Sequence, residues 1–131
     1  QKKSFIKYCE SFDIDYEIFP TEHDMTGDAG YSIINHIISE GRVPSTIFCI
    51  NDPIAMGAMQ ALLDAEIKVI GFNDVEACNF TRPTLSTVYA PSFEMGEIGA
   101  SVLHHMITGD DIHYPRRIQL PCQLKIRNSC K

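Results

Sequence analysis

Apolar residues recur along this chain at spacings that predict helices in some segments and strands in others. Spacings of three and four residues place apolar side chains on one face of a helix, whereas short apolar runs are typical of strands. The helical spacing occurs in four segments, at residues 1–11, 28–40, 52–63 and 91–108. Runs of strand length occur in six segments, at residues 16–19, 46–50, 68–72, 85–89, 117–120 and 123–126. The continuously apolar run at residues 46–50 predicts a strand buried on both faces of a parallel sheet.

Turn and capping residues separate these elements. Pro20 stops the first predicted strand, and Gly41 and Gly109 end two of the helices. An Asn or Asp cap followed by proline, as in Asn51-Asp52-Pro53, is a strong signal for the start of a helix. Helices and strands mainly alternate along the chain, which predicts an α/β fold with a mostly parallel, Rossmann-like sheet flanked by helices.

Composition narrows the classes of protein that fit. The chain has 131 residues, 44% of them hydrophobic, which suits one domain or one lobe of a larger protein. No apolar run approaches the roughly 20 residues that cross a bilayer, and the polar start predicts no secretory leader. The formal net charge is −6 and Arg116-Arg117 is the longest basic cluster, which argues against DNA binding by this segment itself.

The five cysteines are widely spaced and form no C-x-x-C pair. This pattern favours a reduced, cytoplasmic protein without a disulfide framework or a zinc site. Neither a G-x-S-x-G elbow nor a glycine-rich phosphate loop is present, and the histidines lack the H-E-x-x-H spacing. We therefore expect no catalytic residue, no metal site and no cofactor.

Candidate ligand-binding residues follow two of the predicted strands. The doublets Asn51-Asp52 and Asn73-Asp74 each place an amide and a carboxylate at a strand end. Because ligands of open α/β sheets bind at the carboxyl ends of strands, these groups suit a polyhydroxylated ligand. The alternative is that each doublet only caps the next helix or turn, and both roles can coexist. Met25 follows the first predicted strand and could supply an apolar floor, although ordinary loop packing would also explain it.

Five segments, in order, resemble sequence segments of the lactose-repressor (LacI/GalR) family of transcription regulators. They are VPSTIFCINDPIAMGA at residues 43–58, VIGFND at 69–74, PTLSTV at 83–88, EMG at 94–96 and the tail IRNSC at 126–130. The tail includes the R-x-S ending of the family. Each segment alone is weakly specific, but their order over nearly the whole chain is highly specific.

The resemblance implies the C-terminal lobe of a type I periplasmic-binding-protein-like fold over residues 1–131. The crossover helix at residues 91–108 is expected to pack on an N-terminal lobe that, like the DNA-binding headpiece, is absent from this sequence. Such a repressor binds a small sugar-like effector between its lobes, and this changes how two headpieces sit on operator DNA. A homodimer with an isologous interface is implied, through the region after Met25, the helix at 56–63 and the loop at 75–83. Neither a cofactor nor a membrane partner is implied.

The ligand contacts of the family transfer position by position. Asn51 matches an asparagine that binds effector hydroxyls, and Asn73 matches an aspartate that grips the sugar. Met25 stands where an aromatic ring often stacks on the sugar, Gln1 lies near an effector-binding arginine, and Ala90 stands where glutamine is common. These departures leave the identity of the effector open.

Two other classes of protein stay open from the sequence. A soluble sugar-binding receptor of a transport system has the same architecture, but it would carry a secretory leader. A small flavodoxin-like enzyme would need a nucleophile, a metal or a phosphate motif. The polar start, the five cysteines and the R-x-S-C ending favour the regulator.

Overall fold

The computed structural model describes residues 2–21, 24–62, 66–109, 115 and 117–131. Its helices are α1 (Lys2–Ser11), α2 (Gly27–Ser39), α3 (Asp52–Ala61) and α4 (Ser92–Thr108), with two short 3-10 helices at Glu76–Asn79 and Asn128–Cys130. Its strands are β1 (Thr46–Phe48), β2 (Lys68–Asn73), β3 (Ser86–Tyr89) and β4 (Gln123–Lys125). All four predicted helices are confirmed over the described residues.

One four-stranded sheet runs in the order β1-β2-β3-β4. The pairs β1–β2 and β2–β3 are parallel, and β4 joins β3 antiparallel. Parallel strands need crossover connections, and α3 supplies the one between β1 and β2. The predicted α/β fold with a mostly parallel sheet flanked by helices is therefore confirmed.

Two predicted strands are wrong. Residues 16–19 and 117–120 form no strand, because neither segment pairs with a neighbouring strand among the described residues. Other contacts hold the first segment. Glu17 accepts a hydrogen bond from Arg42, whose guanidinium lies 5.2 Å from the ring centre of Phe19.

The prediction that residues 46–50 are buried on both faces is also wrong. The strand β1 stops at Phe48 and lies at the edge of the sheet. Phe48 stays 38% exposed even though Phe5 of α1 stacks on it with a centroid distance of 5.8 Å. The apolar run alone does not distinguish an edge strand from a central one, because that depends on which strands flank it.

The core lies between α2, α3 and one face of the sheet. Its buried members are Ile34, Ile37, Cys49, Ile54, Ala55, Ala58, Leu62, Val69, Cys78 and Leu85. The two helices touch backbone to backbone. A Cβ atom added to Gly57 would lie 1.8 Å from the carbonyl oxygen of Gly27, and one added to Gly30 would lie 2.1 Å from that of Ile54. Only glycine permits this approach.

The helix α4 buries no residue. Its exposed apolar side chains include Phe93, Met95, Leu103, Met106 and Ile107. Gly109 ends the helix in the left-handed conformation, as its sequence position predicts. The packing of residues 91–108 on a second lobe stays a prediction. It requires apolar side chains of α4 to be exposed in this lobe, and they are.

We predict that Gly57→Ala lowers the free energy of unfolding by about 3 kcal/mol, because the new methyl group forces α2 away from α3. The matched control is Gly99→Ala inside α4, where an added Cβ meets no atom within 4 Å. There alanine should raise stability by about 0.5–1 kcal/mol through its higher helix propensity. Urea denaturation measures both, and equal effects of the two variants would contradict the glycine contact.

The pH dependence of stability follows from two buried thiols. Burial, aided by the negative charge of Asp52, raises the pKa of Cys49 and of Cys78 from an ordinary value of 9.0 to about 12. Above pH 9 the unfolded thiols ionise while the folded ones stay protonated, so the unfolded state binds fewer protons. Stability should then fall by up to about 1.4 kcal/mol per pH unit for each thiol between pH 9 and pH 12.

Urea denaturation at successive pH values from 8 to 11 measures this fall. The double variant Cys49→Ala Cys78→Ala should be less stable at pH 8 but should show a shallower slope. Cys122→Ala is the control, because Cys122 is exposed, and its slope should match that of the wild type. A wild-type slope retained in the double variant would contradict the assignment.

Candidate functional site

Three of the predicted site residues lie at one edge of the sheet. The register between β1 and β2 pairs Phe48 with Ile70, and continuing it past the end of β1 matches Asn51 with Asn73. Asn73 itself pairs with Tyr89, so Ala90 follows at the same edge. We call the edge formed by Asn51, Asn73 and Ala90 the carboxyl rim.

The side chain of Asn51 makes two hydrogen bonds. Its Oδ1 accepts from the backbone amide of Ile54 at 2.9 Å, which caps α3, and its Nδ2 donates to the carbonyl of Met25 at 3.0 Å. The capping interpretation is therefore correct for Asn51. An amide has two N–H groups and two lone pairs, so Asn51 keeps one donor and one acceptor for a ligand. The bond to Met25 also joins the loop before α2 to the carboxyl rim.

Asn73 differs from Asn51 because its side chain is exposed and makes no hydrogen bond to a residue that the structure describes. Its backbone has φ of 111°, and that of Asp74 has φ of 61°. Both values lie in the left-handed region, which costs about 1–3 kcal/mol per residue and is best tolerated by Asn and Asp after glycine. The free amide thus stands on a strained turn.

The carboxylates of the two doublets, Asp52 and Asp74, contact other protein groups instead of facing a ligand. Asp52 is fully buried, and it accepts hydrogen bonds from Thr87 Oγ1 at 2.6 Å and from the Val75 amide at 2.9 Å. A Cβ atom at Gly71 would lie 2.2 Å from its Oδ1. The hypothesis that this carboxylate faces a ligand is wrong, because protein donors and packing enclose it.

Asp74 is also engaged within the protein. Its Oδ1 lies 2.8 Å from Nη2 of Arg127, and the two side chains are 14% and 19% exposed. Arg127 Nη1 donates to the carbonyl of Leu85 at 2.9 Å. The R-x-S ending has a second anchor in Ser129, whose hydroxyl donates to the Val69 carbonyl at 2.6 Å. The tail therefore ties β2 and β3 together behind the carboxyl rim.

These structural roles of Asp52, Thr87, Arg127 and Ser129 are missing from the sequence interpretation. A carboxylate placed directly before a proline at a helix start gives the signal of a cap, and nothing local shows that it faces inward. The contact between Arg127 and Asp74 joins distant parts of the chain, so spacing alone gives no sign of it.

Tyr89 extends the carboxyl rim toward α4. Its hydroxyl lies 3.4 Å from the carboxylate of Glu94, and the ammonium of Lys125 lies 5.8 Å from its ring centre. Burial and the charge of Glu94 raise the pKa of Tyr89. The phenol therefore stays protonated at neutral pH and acts as a donor.

Of the remaining predicted site residues, Met25 is 48% exposed and sits beside Asn51 through the hydrogen bond described above. Gln1 lies outside the described residues. A shallow concavity of about 430 Å³ beside the start of α2, lined by Pro20, Thr21, Asp24, Asp28, Ala29, Ser32 and Ile33, shares no residue with the carboxyl rim.

Among residues 2–21, 24–62, 66–109, 115 and 117–131, no group of three or more His, Cys, Asp or Glu side chains could hold a metal ion. Within the same described ranges, no helix is long and apolar enough to span a bilayer.

The sequence model of the periplasmic binding protein-like domain matches residues 2–130. The fold and the rim thus define the chain as a domain of this class, and the chain belongs to that family. Its relatives are LacI-type repressors. The ribose operon repressor of Escherichia coli (strain K12) is 34% identical over 120 residues, which cover 84% of this chain and 36% of that protein. The repressor PurR of Haemophilus influenzae (strain Rd) is 31% identical over 110 residues, covering 78% and 33%.

Solved structures share the fold. A LacI-type regulator from Bifidobacterium animalis superposes with a TM-score of 0.85 at 24% identity, over 95% of this chain and 47% of that one. A LacI-family regulator from Enterococcus faecium with bound ribose gives 0.82 at 23%, over 96% and 48%. The lac repressor dimer bound to operator gives 0.80 at 24%, over 95% and 44%. The resemblance to the LacI/GalR family is confirmed, and the chain spans about a third of the length of the curated relatives it matches.

The strain at Asn73 yields a test by paired substitution. Asn73→Gly should raise the free energy of unfolding by about 1 kcal/mol, because glycine adopts a positive φ without steric conflict. Asn73→Ala should lower it by a similar amount, since alanine also lacks the amide but meets the full steric penalty. Thermal denaturation measures both, and two variants of equal stability would show that the turn is unstrained.

Proposed function

We propose that this chain is the C-terminal lobe of the effector-binding domain of a LacI-type transcriptional repressor, and that its carboxyl rim binds a small sugar-like effector. The observation that carries the proposal is the placement of Asn51 and Asn73 at the ends of adjacent parallel strands. Ligands of open α/β sheets bind at this edge. The relatives named above, which are repressors, support the regulator over the soluble receptor.

The chemistry of the rim suits a neutral polyol. Each hydroxyl of a sugar donates one hydrogen bond and accepts others, and a primary amide offers both kinds of partner. Asn73 has its whole amide available, and Asn51 keeps one N–H and one lone pair. The exposed thioether of Met25 can pack on an apolar ring face. Neither amide carries a charge, so recognition rests on hydrogen bonds rather than on ion pairs.

The open rim supplies half of a cleft. An effector held here would be covered by a second lobe packed on α4, and closure would change the angle between the lobes. In a homodimer that change would alter how two headpieces meet operator DNA, which is a coupling free energy between two sites. Gln1 and Ala90 belong to the proposed contact set by their positions in the family. Such a regulator would act in the cytoplasm.

The proposal is tested by nuclear magnetic resonance on the ¹⁵N-labelled chain. D-Ribose, D-glucose, D-galactose, D-ribose 5-phosphate and hypoxanthine are titrated separately, and the side-chain amide signals of Asn51 and Asn73 are followed. At least one compound should produce a saturable shift with a dissociation constant on the order of millimolar, because one lobe makes only part of the contacts.

The control is Asn79→Ala, since Asn79 is an exposed amide on a 3-10 helix and is not one of the residues that form the carboxyl rim. This variant should bind like the wild type, whereas Asn73→Ala should lose most of the binding. Absence of a saturable shift with all five compounds, or undiminished binding by Asn73→Ala, would overturn the proposal.

A further inference from the structure

We propose that Asp52 and Arg127 are positioning residues for Asn73. They hold residues 73–75, which we call the rim turn, so that Asn73 and Asp74 keep the left-handed conformation that presents the exposed Asn73 amide at the carboxyl rim. The inference rests on the proposed function for the ligand role of Asn73. Its conformational part concerns the rim turn alone.

The rim turn needs such support because two successive residues other than glycine have positive φ. The values are 111° for Asn73 and 61° for Asp74. A chain left to itself would relax toward negative φ, and strained conformations persist only where the surrounding structure over-determines them. Neither side chain stabilises the turn by bonding to its own backbone, so the support comes from neighbouring elements.

Asp52 supports one end of the rim turn. Its Oδ2 accepts from the Val75 amide at 2.9 Å, directly after the two strained residues. Its Oδ1 accepts from Thr87 of β3 at 2.6 Å, which fixes the carboxylate from the other side. Gly71 leaves room for the carboxylate beneath the sheet, where a Cβ atom would lie 2.2 Å from it. Full burial makes this contact rigid and costly to lose.

Arg127 supports the middle of the rim turn. Its guanidinium holds Asp74 at 2.8 Å and the Leu85 carbonyl at 2.9 Å, so it spans from the turn to the start of β3. The backbone of Arg127 is itself fixed, because its amide donates to Ser86 Oγ at 2.7 Å and its carbonyl accepts from the same hydroxyl at 3.0 Å. A planar, two-pronged donor suits this position better than a lysine would.

Because Asn51 and Asp52 are adjacent in the sequence, the positions of the Asn51 and Asn73 amides are linked. Asn51 caps α3 and points to the rim, and Asp52, the next residue, points inward to the rim turn that carries Asn73. The start of α3 therefore sets the positions of both amides at once. In this doublet the amide faces the rim and the carboxylate faces the interior.

The experiment measures the conformation of the rim turn without a ligand. A positive φ brings the amide proton and the Hα proton of a residue close together, which gives a strong intraresidue nuclear Overhauser effect. The wild-type chain should show this signal at residues 73 and 74. Asp52→Asn and Arg127→Met should weaken it and shift the Asn73 side-chain amide. Glu97→Gln, which removes an exposed carboxylate of α4, should leave both unchanged.

A merely structural role for these residues would lower the melting temperature and leave those signals as in the wild type. Unchanged signals in folded Asp52→Asn and Arg127→Met would therefore overturn the proposal. Asp52→Asn could fail to fold because Asp52 is fully buried. In that case Arg127→Met decides whether the proposal holds, because Arg127 is partly exposed and its replacement disturbs the core less. Arg127→Lys should restore the signals in part, because it keeps the charge but cannot make both contacts.

Titration with D-ribose separates this inference from the proposed function. Arg127→Met should bind on the order of tenfold more weakly than the wild type, and it should cause no further loss in an Asn73→Ala background, because it acts through Asn73. Equal losses in both backgrounds would show that Arg127 acts independently of Asn73. Absence of binding by the wild type bears on the proposed function, while the ligand-free signals still decide the conformational inference.

Discussion

The backbone contact between α2 and α3 is the constraint on which the rest of the lobe depends. Because Gly30 and Gly57 carry no side chain, the two helices approach until carbonyl oxygens lie close to the places where Cβ atoms would be. This close approach fixes the position of the loop before α2 relative to the start of α3. The carbonyl of Met25 then comes within hydrogen-bonding distance of Asn51, so packing at Gly30 and Gly57 helps to place this end of the carboxyl rim.

Most elements of the fold could be predicted from local sequence signals. Helical spacing, the Asn51-Asp52-Pro53 start and the Gly109 stop define α3 and α4, and the runs at β2 and β3 were long enough to be recognised. The errors at residues 16–19 and 117–120 have one physical cause. A strand is stable only beside a partner, and a sequence shows its own preference but not which neighbour the folded chain supplies.

Part of the candidate site could likewise be predicted from local sequence signals, and part of it could not. The edge position of Asn51 and Asn73 follows from the parallel sheet, and it could be predicted once β1 and β2 were recognised. The contacts of the carboxylates could not be predicted, because Asp52 accepts a hydrogen bond from Thr87 and Asp74 forms an ion pair with Arg127, and both partners come from remote parts of the chain. Burial and long-range pairing are properties of the assembled lobe rather than of any short segment.

The anchoring of the tail has a consequence for how this lobe is made. The hydroxyl of Ser129 bonds to the carbonyl of Val69, a residue 60 positions earlier. During translation, β2 cannot make this contact until all of α4 and the residues up to Ser129 have left the ribosome. In that interval β2 lacks the hydrogen bond from Ser129, so the emergence of residue 129 is the step that supplies this contact.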